Sequence, residues 1–265
     1  MIISPRHPFG LMLTAACALV FVYLLLPLVV IVVSAFGDTG YLAFPPKGLT
    51  FKWYQAALAN PRFIDGFLVS VRVGAVVASI SVLVGVAAAS AIVRRPFMGS
   101  GLLEALFLSP LLLPTLVLAV ALSIFFSAHN IASGTNRLIL AHIAICIPYV
   151  LRVTIPVLRR FDVTLEEAAM NLGASPSATF FLVTLPVIQP GVIAGATLAF
   201  IMSFDEIDLA IFLASPREST LPVTIYSAVQ LGFEPSLAAV SAWLILLTVF
   251  AMVFFQFLIG RRTNP

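Results

Sequence analysis

LEEAAMNLGASPSATFFLVTLP, residues Leu165 to Pro186, is a water-compatible stretch set between two long apolar runs. Thr164 and Glu167 stand at the N-cap and N3 spacing of a capping box, which predicts a helix starting at Thr164. Leu165, Ala168, Ala169 and Leu172 recur at i, i+3, i+4 and i+7 and make one small apolar stripe, with Glu166 and Asn171 turned elsewhere. Gly173 ends this helix, because the residue after a helix often needs a positive φ that glycine adopts without strain. Ser175 is a good N-cap and Pro176 suits the first helical position, so a second helix starts at once. It is predicted to run through Ala178, Phe181 and Leu182 until Pro186 breaks it. Two short helices bent at a glycine make a knob, and its alanines let a partner surface approach closely.

What flanks the knob fixes the class. The chain has 265 residues, 61% of them hydrophobic and 9% charged, with mean hydropathy +1.13. A soluble domain of that composition would expose an enormous apolar surface, so the chain is read as an integral membrane protein. A spanning helix needs about 20 apolar residues. Six stretches qualify: 9–36, 66–93, 102–127, 138–158, 187–214 and 237–259, with the hairpin loop occupying 159–186. All six are expected to be helical, since lipid offers no partner for open backbone groups. The first is read as retained and not as a secretion signal, because its apolar run from Leu11 to Val33 is long and Ser34-Ala35-Phe36 makes no clear cleavage site. The expectation is one transmembrane domain over 1–265.

Basic residues give an orientation. Arg6, Arg94, Arg95, Arg159, Arg160, Arg261 and Arg262 fall on one side, and Lys47, Lys52, Arg62, Arg137 and Arg217 on the other. The first set, mostly doublets at span ends, marks the cytoplasmic face and places both termini and the 159–186 loop there. The net charge of +3 is thus a topology signal and does not point to nucleic acid. The largest piece on the opposite side is 37–65, where Phe51, Trp53 and Tyr54 are read as interfacial anchors or as a docking surface for an external protein.

Within the spans, Phe204-Asp205-Glu206-Ile207-Asp208 stands out, because three carboxylates at membrane depth must line water or be paired. Asp205 and Asp208, at i and i+3, are expected to share a helix face. Either they line a route for a cation, or they pair with Arg72 or Arg152. Gly191 and Gly195 form a G-x-x-x-G step suited to close packing, within this chain or against a second subunit. Prolines at 27, 110, 114, 148 and 156 permit bends.

Enzymatic signals are weak. Cys17 and Cys146 fall in different spans and suggest neither a disulfide nor a metal site, and His7, His129 and His142 lack ligand spacing. Gly99-Ser100-Gly101 lacks the nucleophile-elbow frame, there is no P-loop, and Asp205 and Asp208 share one span where a membrane aspartyl protease needs two. No catalytic residue, metal or cofactor is assigned.

Glu167-Ala168-Ala169, Gly173 and Val183-x-Leu185-Pro186, at their spacing, resemble the EAA loop of bacterial ATP-binding-cassette (ABC) importer permeases, with Val183 where that pattern has Ile. Ser203-Phe204-Asp205-Glu206, then Leu221-Pro222-x-x-Ile225-Tyr226-Ser227 and Gly232-x-x-Pro235, are similar to permeases of the spermidine/putrescine import group. The resemblance implies an all-α, six-span, type I importer bundle in a bacterial inner membrane, whose cytoplasmic coupling helix sits in a groove of an ATPase subunit. It implies Glu167, Ala168, Ala169, Gly173, Leu185 and Pro186 as coupling residues, and Asp205, Glu206 and Asp208 as candidates for the solute pathway. The implied partners are a second, different permease, two ATPase subunits that hydrolyse the ATP, and a periplasmic solute-binding protein. A polyamine or another small polar solute is the expected cargo. A non-transporting scaffold subunit is the rival reading.

Overall fold

A computed structural model describes residues 8–94, 97–131, 134–215, 218–232 and 234–260, and the side chains among them except those of 8–9 and 251–260. Arg6, His7, Arg95, Arg217, Arg261 and Arg262, used above, lie outside the described residues. The described residues are almost wholly helical, with a lone bridge between Ser215 and Glu218. Their order is α1 Pro8–Ser34, α2 Lys52–Ala59, α3 Pro61–Arg94, α4 Ser100–Leu108, a 3-10 turn Ser109–Leu112, α5 Thr115–Ala128, α6 Thr135–Arg160, α7 Thr164–Asn171, α8 Pro176–Thr179, a π segment Phe180–Thr184, α9 Leu185–Asp205, α10 Asp208–Leu213, α11 Leu221–Leu231 and α12 Pro235–Gly260.

Hydroxyls inside the long helices are hidden in the way an apolar solvent demands. Thr14, Ser79, Ser90, Thr197 and Thr248 each donate to the carbonyl four residues back, which satisfies the side chain without a partner from outside the helix. By length and apolar composition four described helices suffice to cross a membrane: Gly10–Ser34, Pro61–Arg94, Thr135–Arg160 and Pro176–Asp205. The α4/α5 pair makes a fifth when counted as one span, and Pro235–Phe250 of α12 is a shorter apolar helix.

Three expectations about the spans change. Residues 102–127 are not one straight helix: α4 and α5 meet at 103° across a break at 113–114, where Pro114 is extended (ψ 127°) and has no N–H to continue a helix. The 187–214 span stops at Asp205, because Glu206 is extended (ψ 115°) and α10 starts afresh at Asp208. Pro186, in contrast, breaks nothing. The helix runs on from Pro176 to Asp205 through the π segment, a wider turn that accommodates the missing proline N–H.

The chain divides into two compact units, 1–64 with 225–265, and 65–224. In the first, α1, α2 and α12 pack together. Tyr54 is buried there, with its ring 4.9 Å from Phe36 and 6.4 Å from Trp243, and Trp53 donates to the Gly37 carbonyl at 2.9 Å. Lys52 pairs with Asp38 beside it. These aromatics therefore hold the 37–51 loop onto α2. In the second unit α6 is the central helix and α9 lies along it. An added Cβ at Gly191 would fall 2.9 Å from Val157, and one at Gly195 would fall 3.2 Å from the Val150 backbone. The G-x-x-x-G step is thus used inside this chain. Gly85 of α3 also meets the Val150 side chain, where a Cβ would stand 2.8 Å away.

Candidate functional site

The hairpin between α6 and α9 is built as two capped turns. Asp162, not Thr164, starts α7: its Oδ1 accepts from the Thr164 N–H at 3.0 Å and from the Thr164 hydroxyl at 2.8 Å. Thr164 is already helical, so its hydroxyl caps nothing. Those two bonds hold the Asp162 carboxyl below its ordinary range. The other end follows the expectation. Gly173 has φ +92°, its N–H bonds the Met170 carbonyl at 2.9 Å, and the Ala174 N–H reaches Ala169 at 3.1 Å. This is a Schellman closure, and it needs the left-handed residue. Ser175 then caps α8 by accepting from the Ala178 N–H at 3.3 Å, with Pro176 at the first position.

The two neighbouring glutamates of α7 face opposite ways. Glu167 is exposed and makes no side-chain hydrogen bond or ion pair among the described residues. Ala168 and Gly173 are exposed beside it and Ala169 is half-buried, with Leu165 47% and Leu172 90% exposed on the same small element. Leu185 and Pro186 stand apart from this cluster, at the base of α9, where Leu185 packs on the core. Glu166 turns inward. Its Oε1 lies 3.0 Å from Nη2 of Arg94, at the end of α3, and accepts from the Thr184 hydroxyl at 2.6 Å. The Arg94 guanidinium also stands over the Phe161 ring at 4.5 Å. Spacing along the chain gives no hint of this knot, since its members are 18 or more residues apart apart from Phe161 and Glu166. The doublet at Arg94 reads as an orientation signal alone.

At the far end of α9 the three carboxylates do separate jobs. Glu206 Oε1 accepts from the N–H groups of Asp208 and Leu209, at 3.1 and 3.4 Å, and so caps α10. Asp208 accepts from the Thr115 hydroxyl at the start of α5, at 2.5 Å. Asp205, the last residue of α9, is exposed and has no side-chain partner among the described residues. Asp205 and Asp208 do not share a face, because the helix breaks between them. Neither Arg72 nor Arg152 forms an ion pair with any of the three among the described residues. His142 and Ser203, missed by spacing, meet at 2.9 Å in the buried α6–α9 contact.

A model of the family described as binding-protein-dependent transport system inner membrane component matches residues 81–265. The spermidine/putrescine transport system permease protein PotC of Escherichia coli (strain K12) is 28% identical over 245 residues, 92% of either chain. The putrescine transport system permease protein PotI of the same organism is 33% identical over 228 residues, 83% of this chain and 81% of that one. The molybdenum transport system permease protein ModB of Mycobacterium bovis is 31% identical over 225 residues, 79% of this chain and 83% of that one. Among solved structures, a chain of a bacterial ABC transporter involved in the import of the acidic polysaccharide alginate has a TM-score of 0.74, covering 100% of this chain and 99% of that one at 13% identity, a likeness of fold.

Proposed function

The chain belongs to the family of binding-protein-dependent transport system inner membrane components and is a permease subunit of an ABC importer, and within that identity we propose that it couples a cation pathway to ATP hydrolysis in separate subunits. In this reading six spans form one permease domain, with α4/α5 as one bent crossing and α12 as the sixth. Both termini and the 159–186 hairpin are cytoplasmic. The hairpin enters a groove of an ATPase subunit, a second and different permease completes the pathway, and a periplasmic binding protein delivers the solute. Closure of the ATPases moves the hairpin and alternates access to the pathway. Glu167, Ala168, Ala169 and Gly173 make the contact, and Leu185 and Pro186 carry it into α9.

The observation that carries this reading is the pairing of a rigidly capped hairpin with an outward Glu167 and exposed Leu165 and Leu172. A carboxylate and apolar side chains held in fixed geometry, without internal partners, suit a protein groove better than a loop merely resting in water. A polyamine is proposed as the solute. It draws support from the named cargo of PotC and PotI and from Asp205, an unpaired carboxylate at the C-terminal end of α9. The partial negative charge of that helix end adds to its attraction for a cation. The name of ModB shows that relatives of similar identity serve another cargo, so the solute has to be measured. The complex, reconstituted in liposomes with its partner permease, ATPases and binding protein, is expected to accumulate radiolabelled spermidine or putrescine when ATP is supplied. Asp205→Asn is expected to lower that uptake at normal complex abundance. Full uptake by the variant removes Asp205 from the pathway. Intact assembly with no uptake of any small solute by the native complex favours a scaffold.

A further inference from the structure

We propose that Glu166, Arg94 and Thr184 form the rigid link through which the hairpin moves the spans, the inward counterpart of the outward docking face; this rests on the coupling role given to the hairpin above. One carboxylate, on α7, joins the last residue of α3 to the π segment that leads into α9. The Arg94 and Glu166 side chains are each 17% exposed, and Thr184 is 2% exposed. A charge pair this shielded keeps most of its Coulomb attraction, whereas the exposed Arg159–Glu104 pair at 3.5 Å is screened by water. The Arg94 guanidinium also lies over the Phe161 ring at 4.5 Å, a second contact that favours the arginine staying beside Glu166.

The mechanical consequence follows from the geometry of a short lever. Without the knot, α7 is held to the spans by the chain, through residues 161–163 on one side and 172–175 on the other, and by its packing on α8 and the π segment. Turns of that length absorb a displacement by rotating a few φ and ψ angles. With it, a push on Glu167 or Leu165 is delivered one residue away, at Glu166, to α3 and to the π segment together. The π segment is a suitable receiver, because its wider turn places Thr184 against the carboxylate and is itself a site where a long helix changes register. Glu166, Arg94 and Thr184 are therefore positioning residues: they touch no solute and no nucleotide, and set how much of the hairpin's motion reaches the pathway.

The test uses the assembled transporter in liposomes, with ATP turnover, spermidine uptake and complex abundance measured together. Glu166→Gln and Arg94→Met are expected to leave abundance and ATP turnover near native values while solute moved per ATP falls roughly tenfold, the size of an ordinary coupling interaction. Thr184→Val is expected to uncouple in the same direction, and Thr184→Ser, which restores the hydroxyl, to recover the native ratio. A proportional fall of turnover and uptake, or an unchanged ratio, overturns the link. A second readout needs no solute. With Cys17 and Cys146 replaced by Ala, nitroxide labels at Ser177 and Ala91 are expected to keep one narrow distance when ATP and vanadate close the ATPases. In the Glu166→Gln complex that distance is expected to broaden or shift, and an unchanged distance counts against the link even if a variant assembles poorly. Should the native complex bind no ATPase, the coupling role itself fails, which is a different result from a native complex that couples with variants that couple equally well.

Discussion

Gly173 is the residue on which the hairpin's shape turns. Its φ of +92° closes the Schellman turn, with open space where a Cβ would be built, so any loss on substitution comes from backbone strain and not from a clash. Gly173→Val is expected to cost of the order of 1 kcal/mol or more locally and to misplace α8. The readout is ATPase binding and stimulated ATP turnover, and normal values for both would remove the coupling role. Asp162 makes a prediction about pH. Because its carboxyl is held below its ordinary range by the Thr164 N–H and hydroxyl, its contribution is complete above the ordinary carboxylate pKa and is lost as pH falls through the lowered one. The start of α7 is therefore expected to loosen only in acid, while Asp162→Ala loosens it at neutral pH; amide exchange at Thr164 measures both. Gly173 and Ser175 were readable because turn chemistry is local. Asp162 displaced Thr164 as the capping group because an aspartate two residues earlier reaches the same N–H, a competition that spacing alone does not rank. Glu166 was hidden for a different reason, since its partners Arg94 and Thr184 arrive through the fold.

At the scale of elements, close packing of α6 on α9 and α3 is the strongest geometric statement in the second unit. Val150 is fully buried between Gly85 and Gly195. A methyl at Gly85 would stand 2.8 Å from the Val150 side chain, whereas one at Gly195 would stand 3.2 Å from the Val150 Cα. Gly85→Ala is thus expected to destabilise the solubilised subunit by about 1–3 kcal/mol and to be eased in part by Val150→Ala, which removes the clashing Cγ1 but keeps the Cβ that stands as close. Gly195→Leu presses on the Val150 Cα as well as on Cγ1, and is eased less by that change. Thermal unfolding of the single and double variants measures the difference, and equal rescue at both positions would contradict the packing described. Sequence located these helices well, because an apolar run of about 20 residues has few alternatives in lipid. It missed their breaks. Residues 102–127 are apolar on both sides of the 103° bend, so hydropathy has no contrast there, and only Pro110 and Pro114 marked it. The stop at Asp205 was missed because helical spacing was extended through Glu206, whose carboxylate is spent capping the next helix.

For the molecule as a whole, the arrangement of charge predicts which face meets ATP. In the 65–224 unit, α3 ends at Arg94 and α6 at Arg159 and Arg160, and the Glu166 knot holds the hairpin against the first of these ends. The basic residues of those helix ends and the hairpin therefore stand on the same side, and the arginines there are the ground for proposing that this side is cytoplasmic. The 37–51 loop, which the charge pattern assigns to the other side of the membrane, hangs on α2 through Trp53 and the Lys52–Asp38 pair. Single cysteines read this directly, in a background with Cys17 and Cys146 replaced. Ser177 is exposed on the hairpin and leaves the Ser175 cap intact, and Gly40 has nothing within 4 Å of an added Cβ, so both accept a cysteine without disturbing the fold. A membrane-impermeant maleimide is expected to label Gly40→Cys in cells whose outer membrane alone has been opened, and Ser177→Cys only after the inner membrane is breached. The reverse pattern would put the hairpin on the side without ATP, and the ATPase contact, the drive through Glu166 and the direction of transport would all fall together. Labelling of both sites in intact inner membranes would point instead to an odd number of crossings between 40 and 177 being miscounted, and the bent α4/α5 pair is where that error would lie, since a re-entrant pair returns the chain to the face it came from.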